Sequence, residues 1–247
     1  CIVVLRGGKV AAERQATQTS KAELAELMVG HRVTRPTREK SEPGAIALEA
    51  RDVTLKSGGV ERLKKISFHV RAGEVLGIIG VSGNGQASLG QILSGTANRT
   101  SGELLLFDKP VGDLDVAAVI DADIGRIPED RNRDGAIGEM AIWENAVLER
   151  LSSYSKHGLV DKGAGMAFAQ EIIEAFDVRG GNAATRTRLL SGGNMQKLIL
   201  GRNLHERPHI LIAAQPARGL DEGAVAAVHG RILEARRQGT AVLLISE

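Results

Sequence analysis

Three segments of this chain carry residues able to handle a polyphosphate, and they are altered to different degrees. Gly80-Val81-Ser82-Gly83-Asn84-Gly85-Gln86-Ala87-Ser88 has Gly80 and Gly85 at the glycine positions of the pattern G-x-x-x-x-G-K-[ST]. Such glycines let backbone amides turn inward around phosphate, beside the positive end of a following helix. The lysine position holds Gln86, and the position of the magnesium-binding hydroxyl holds Ala87. A carboxamide supplies no ammonium charge, and a methyl group ligates no metal. Ser88 offers its hydroxyl one residue late, so it serves only if the loop is rearranged. The glycines alone are weak evidence, because any strand, glycine turn and helix in succession can produce them.

The second segment, Leu190-Ser191-Gly192-Gly193-Asn194-Met195-Gln196-Lys197, is intact. Ser191 offers a hydroxyl, and Gly192 and Gly193 expose amides at the start of a helix, where an anionic phosphate is favoured. The third follows the apolar run His209–Ala213 and reads Ala214-Gln215-Pro216-Ala217-Arg218-Gly219-Leu220-Asp221. A nucleoside triphosphatase needs an aspartate for magnesium and a group that orients water at such a strand end. Ala214 and Gln215 stand there, and neither is charged. Lysine, hydroxyl, aspartate and glutamate are thus all replaced by neutral residues at their expected positions. That coincidence argues against a chance motif and against catalysis by this cleft. Asp221 sits where it can cap the next helix or face a partner.

Elements able to position these residues follow from periodicity. Ile2–Leu5 and the Gly7-Gly8 turn predict a hairpin; Ser20 with Glu23 resembles a capping box opening a helix that carries Leu24, Leu27 and Met28. Alternation over 45–55 and 63–70 predicts two edge strands joined at Ser57-Gly58-Gly59. Residues 74–79 and 103–107 predict strands, and 87–93 a helix. Helices are predicted over 142–151, 164–176, 191–204 and 223–237, with strands over 209–213 and 240–245. Strands alternating with helices imply a parallel-sheet core.

Composition narrows the function classes. In 247 residues, 43% are hydrophobic and 2% aromatic, so the core is aliphatic. The net charge of +2 is too mild to indicate a nucleic-acid binder, and there is no basic stripe with interleaved aromatics. A single cysteine, Cys1, excludes an internal disulfide framework and fits a reducing compartment. No run approaches the roughly 18 apolar residues of a membrane span. The six histidines lack ligand spacing, so no metal centre is expected from them.

Over nearly its whole length the chain resembles the ATP-binding subunits of ABC transporters. Leu190–Gly193 matches the family signature, Gly219-Leu220-Asp221 the loop at the dimer interface, and Ile127-Pro128-Glu129 the segment before the helical subdomain. Glu129 replaces the usual glutamine, and Glu247 falls where many members carry the switch histidine. The resemblance implies an α/β, P-loop NTPase-like nucleotide-binding domain with a parallel-sheet core, an antiparallel β subdomain and a helical subdomain at about 130–190. It further implies a tail of a preceding nucleotide-binding domain over 1–30, a linker over 31–45, and a second nucleotide-binding domain over 46–247 that is truncated at its C-terminus.

Pro128-Glu129-Asp130-Arg131 with Arg133-Asp134-Gly135 looks like importers of simple sugars and nucleosides. Ala213–Pro216 with Arg218–Asp221 is similar to second domains of the nucleoside-importing branch. By resemblance, Gly80, Ser82, Gly83, Asn84, Gly85, Gln86, Ala87 and Ser88 would hold ATP weakly or without hydrolysis. Leu190, Ser191, Gly192, Gly193 and Asn194 would serve the site of the first domain, where alone Mg2+ would bind. Glu129 and Asp221 would lie at interfaces. Partners would be the first domain of the same polypeptide, transmembrane permease subunits and, indirectly, an extracellular substrate-binding protein, with no nucleic acid, at the cytoplasmic face of the membrane. Ile137, Met140 and Trp143 would touch the permease or pack into the core. Arg186 and Arg188 would reach phosphate or form a solvated charged face. The alternatives are a sugar importer, a soluble ABC protein of translation or DNA maintenance, and an interaction domain that binds no nucleotide.

Overall fold

The run Ile210–Ala214 is apolar at every position because its strand is covered on both faces. Ile210 and Ile212 face one hydrophobic cluster, and Leu211 and Ala213 face another. The computed structural model that shows this describes residues 1–30, 36, 37, 40 and 42–246. Much of the expected linker at 31–45, and Glu247, lie outside the described residues.

The first elements are the antiparallel hairpin β1 (Ile2–Arg6) and β2 (Lys9–Arg14), then helix α1 (Lys21–Val29). Ser20 Oγ caps α1 by accepting from the Glu23 amide at 3.2 Å, as the spacing predicts. Next come β3 (Ile46–Ser57), β4 (Val60–Arg71), β5 (Val75–Ile79), α2 (Gln86–Leu93), β6 (Ser101–Leu106), β7 (Lys109–Val111), α3 (Val116–Asp121) and β8 (Ile124–Ile127). A mostly helical stretch follows. It holds a π turn over Arg131–Gly135, α4 (Ile142–Val147), a 3-10 segment Leu148–Tyr154, a minimal hairpin of β9 (Ser155–Lys156) and β10 (Leu159–Val160), and α5 (Lys162–Ala175). Then α6 (Gly192–Leu204), β11 (Ile210–Ala214), α7 (Glu222–Arg237) and β12 (Ala241–Ser246) complete the described order.

A parallel sheet runs β5-β12-β11-β8, and an antiparallel sheet runs β4-β3-β6-β7. β3 therefore lies inside its sheet, which corrects the expectation that both strands of this hairpin are edges. The reason is β6, whose Leu104 and Leu106 pair with Ala50 and Leu48 and bury the inner face of β3. Sequence periodicity left β7, α3 and β8 unseen, since three to six residues are too few to set a period.

One side of the parallel sheet carries α4, α5, α6 and α7; the other carries α2 and the antiparallel sheet. α5 and α6 meet closely at Gly201. A Cβ there would sit 2.4 Å from Ile172 Cγ2 and 3.1 Å from Phe176 Cδ2. In an open helix Gly→Ala stabilises by about 1 kcal/mol, whereas overpacking a core costs about 1–3 kcal/mol. Gly201→Ala is therefore expected to be net destabilising, read as a lower urea midpoint at unchanged m-value. A raised midpoint would show the α5–α6 contact to be loose.

Candidate functional site

The carboxyl ends of β5, β8 and β11 converge, the usual place for a ligand in an open α/β sheet. A cavity of about 840 Å³ opens there. Its lining brings together Ser82, Gly83, Gly85, Gln86, Ala87 and Ser88 from the loop after β5, Glu129 after β8, and Ala214 and Gln215 at the end of β11. Residues separated by more than a hundred positions thus share one cleft. Gly80 and Asn84 are not part of the lining.

The loop is shaped by its neighbours as well as by its own glycines. Gly85 caps α2 with φ +99°, a backbone state that side chains rarely adopt. A Cβ at Gly85 would also stand 2.8 Å from the Arg62 carbonyl and 2.7 Å from Leu63 Cδ2, so β4 presses directly on the loop. Asn84 Nδ2 and Gln86 Nε2 both donate to the Val81 carbonyl, at 2.9 and 3.1 Å. The Gln86 side chain is thereby folded back across the loop, and its Oε1 is buried without a hydrogen-bond partner. Across the cleft Gln215 is held in left-handed backbone, φ +48°, with its amide donating to the Ile245 carbonyl at 2.8 Å.

These residues do not fit a magnesium ion. Ala87 and Ala214 have no ligand atom, Gln215 has no charge, and the Gln86 Oε1 is buried. Among the described residues no group of three or more His, Cys, Asp or Glu could hold a metal.

From the cleft wall inward runs a charge network that sequence reasoning missed. Arg202 of α6 is 6% exposed; it meets Glu149 at 3.2 Å and donates to the carbonyls of Gly135 at 2.9 Å and Asn145 at 3.2 Å. Burial pushes its guanidinium below the ordinary value, and Glu149 opposes that shift. Glu149 also meets Arg126 of β8 at 3.2 Å, and Arg126 donates to the Ser94 carbonyl just beyond α2. No spacing rule links positions 126, 149 and 202.

The signature residues form a separate surface, away from the cavity lining. Leu190 is buried in the helical core, so its part is packing. Ser191 caps α6, accepting from the Asn194 amide at 3.4 Å and from its Nδ2 at 2.9 Å. Asn194 Oδ1 accepts from the Arg179 amide at 2.8 Å. Gly193 faces α7 at Ala224. Arg131 joins this surface to the interface loop. Its Nη1 donates to the Arg218 carbonyl at 2.7 Å, and its Nη2 lies 2.9 Å from where a Cβ of Gly192 would be. Arg218 in turn ion-pairs with Glu129, which lines the cleft. Asp221 caps α7, accepting from the Ala224 amide at 2.9 Å.

Other sequence candidates resolve into packing or solvated charge. Trp143 is half-buried against Gly165 in the helical core, while Ile137 is exposed. Arg186 and Arg188 both pair with Glu139, at 3.3 and 3.0 Å. His209 packs edge-on to Phe107, and His205 edge-on to Phe168.

A parallel sheet flanked by an antiparallel sheet and a helical unit, with a glycine loop and a separate signature helix, defines an ATP-binding cassette. The family model described as "ABC transporter" matches residues 63–218, and the chain belongs to that family. It is 39% identical over 249 residues to the nucleoside import ATP-binding protein NupA of Lactococcus lactis subsp. cremoris, covering 99% of this chain and 49% of that one. It is equally 39% identical to the guanosine import ATP-binding protein NupO of Bacillus subtilis, with the same coverage. To the glucose import ATP-binding protein TsgD13 of Haloferax volcanii it is 39% identical over 252 residues, 100% of this chain and 46% of that one. The chain therefore spans about half the length of these relatives. Among solved structures, a nucleotide-free ATP-binding cassette from an ABC transporter superposes with a TM-score of 0.70 at 22% identity, covering 82% of this chain and 81% of that one.

Removing Glu149 would leave Arg202 charged and buried without its carboxylate. Glu149→Ala is expected to cost about 3 kcal/mol, the lower end for breaking a buried pair because Glu149 keeps some water contact. Chemical denaturation measures it. A loss within the range of a surface pair, below about 1 kcal/mol, would show that the carbonyls of Gly135 and Asn145 suffice.

Proposed function

We propose that this chain is the non-hydrolysing half of the ATP-binding component of an ABC importer. It works at the cytoplasmic face of the membrane against transmembrane permease subunits, which an extracellular binding protein supplies with cargo. Its own cleft holds ATP without turning it over. Ser191, Gly192, Gly193 and Asn194 complete a competent, Mg2+-dependent site whose phosphate loop belongs to a first nucleotide-binding domain, in the same polypeptide.

The observation that supports this reading is the convergence of Gln86, Ala87, Ala214 and Gln215 on one cavity. Each stands where triphosphate chemistry requires a charge or a metal ligand, and each is neutral. Deleting one well-placed electrostatic group raises a barrier by about 3–4 kcal/mol; here several are absent together. The signature surface keeps a helix start capped by Ser191 and followed by two glycines. That division of labour fits a pair of domains in which one cleft reacts and the other is held.

For cargo, the names of the Lactococcus and Bacillus relatives support nucleosides. A simple sugar is the second reading, supported by the Haloferax relative at the same 39% identity.

Phosphate release from ATP and Mg2+ by the 247-residue chain is the test. Turnover is expected to stay at the protein-free background. Gln86→Lys is expected to tighten ATP binding about tenfold, about 1.4 kcal/mol, and still give no turnover, because Ala214 and Gln215 remain. Magnesium-dependent turnover that Gln86→Ala abolishes would overturn the reading.

A further inference from the structure

The cleft lacks the lysine and the metal, so a bound polyphosphate needs positive charge from another quarter. Three arginines line the cavity: Arg62, Arg126 and Arg133. Arg126 is committed to Glu149 at 3.2 Å and to the Ser94 carbonyl. Arg133 is forked onto its neighbour Asp134 at 2.8 Å. Arg62 alone of the three makes no hydrogen bond or ion pair among the described residues. Its neighbour Leu63 is 4% exposed and packs against Gly85, whereas Arg62 is exposed and borders the cavity. Its carbonyl already abuts Gly85, which fixes the strand against the loop.

Gln86 sharpens the point. Its Nε2 donates to the Val81 carbonyl and its Oε1 is buried, so the side chain brings no positive charge to a phosphate. The acids on the lining do not restore a metal site: Glu129 is paired with Arg218, Asp134 with Arg133, and Glu149 with two arginines.

We infer that Arg62, reaching in from the antiparallel sheet, supplies the charge that the loop has lost, so that this cleft takes a nucleoside di- or triphosphate without its metal. The inference rests on the reading of the cleft as a nucleotide site. The guanidinium is suited to the task because it stays charged and can offer two parallel N–H donors to phosphate oxygens. The glycine loop contributes amides, and Arg62 contributes the net charge.

Binding of a fluorescent ADP analogue to the 247-residue chain tests it, with EDTA and with Mg2+. Affinity is expected to be the same within about twofold in the two buffers, to fall about tenfold in Arg62→Ala, and to be largely kept in Arg62→Lys. Circular dichroism and urea denaturation check that each variant is folded; Arg62 is exposed, so both substitutions leave the core untouched. Binding that requires Mg2+, or that survives Arg62→Ala unchanged, overturns the role of Arg62 and leaves the nucleotide reading standing. An equal loss in Arg133→Ala also overturns it, since the charge would then be diffuse. No binding to the unmodified chain in either buffer overturns both.

Discussion

Arg202 carries a full charge into the interior, and the fold tolerates it there only while Glu149 and the carbonyls of Gly135 and Asn145 stay in place. Desolvating a guanidinium costs several kcal/mol even after relaxation, so the geometry around it has little freedom. Glu149 is shared with Arg126, whose other donor reaches the carbonyl of Ser94 at the end of α2. The signature helix, the helical unit, the central sheet and the phosphate-loop helix are therefore tied by two arginines and one carboxylate. A hydrophobic trio of similar volume could be as stable. It would not fix four elements in one register, because apolar contact is not directional.

That rigidity bears on two separate surfaces, the cleft bordered by α2, β8 and β11, and the start of α6 beside the Arg218–Asp221 loop. The Arg126–Glu149–Arg202 network holds β8 and the end of α2 to α6. On the outside Arg131 holds the signature to the interface loop, through the Arg218 carbonyl and its cover over Gly192.

Most of the elements were legible because their periods are long and clean. The alternation in β3 and β4, the apolar run of β11 and the helical spacing of α5, α6 and α7 gave their positions within one to three residues. The glycine loop and the Ser191–Asn194 start were visible because each combines glycines with a capping or phosphate-facing residue at fixed offsets. Short elements escaped: α3, of six residues, and β8, of four, are held by tertiary packing rather than by pattern. The cleft's chemistry was half legible. Gln86, Ala87, Ala214 and Gln215 could be named from a motif whose charged members they replace. Arg62, Arg126, Glu149 and Arg202 belong to no motif, and their meaning comes only from being brought together across the sheet boundaries. Arg62 in particular is one of several charged residues on β4, and only the cavity distinguishes it from Lys64 and Lys65.

Connections between cleft and signature surface are of two physical kinds, and they are not equivalent. The route through Arg126, Glu149 and Arg202 runs from the cavity lining to a buried guanidinium, which is stranded if Glu149 leaves. It behaves as a fixed strut. The route through Glu129, Arg218 and Arg131 is mostly exposed, and water can replace each of its partners at small cost. An anionic ligand beside Glu129 would compete with that carboxylate for the Arg218 guanidinium. Arg218 also carries the carbonyl that Arg131 holds, and Arg131 lies over the first signature glycine. The exposed route can therefore change state while the buried one keeps the scaffold constant. On the proposed reading of the cleft, the exposed route is the one through which a held nucleotide would act on a neighbouring site.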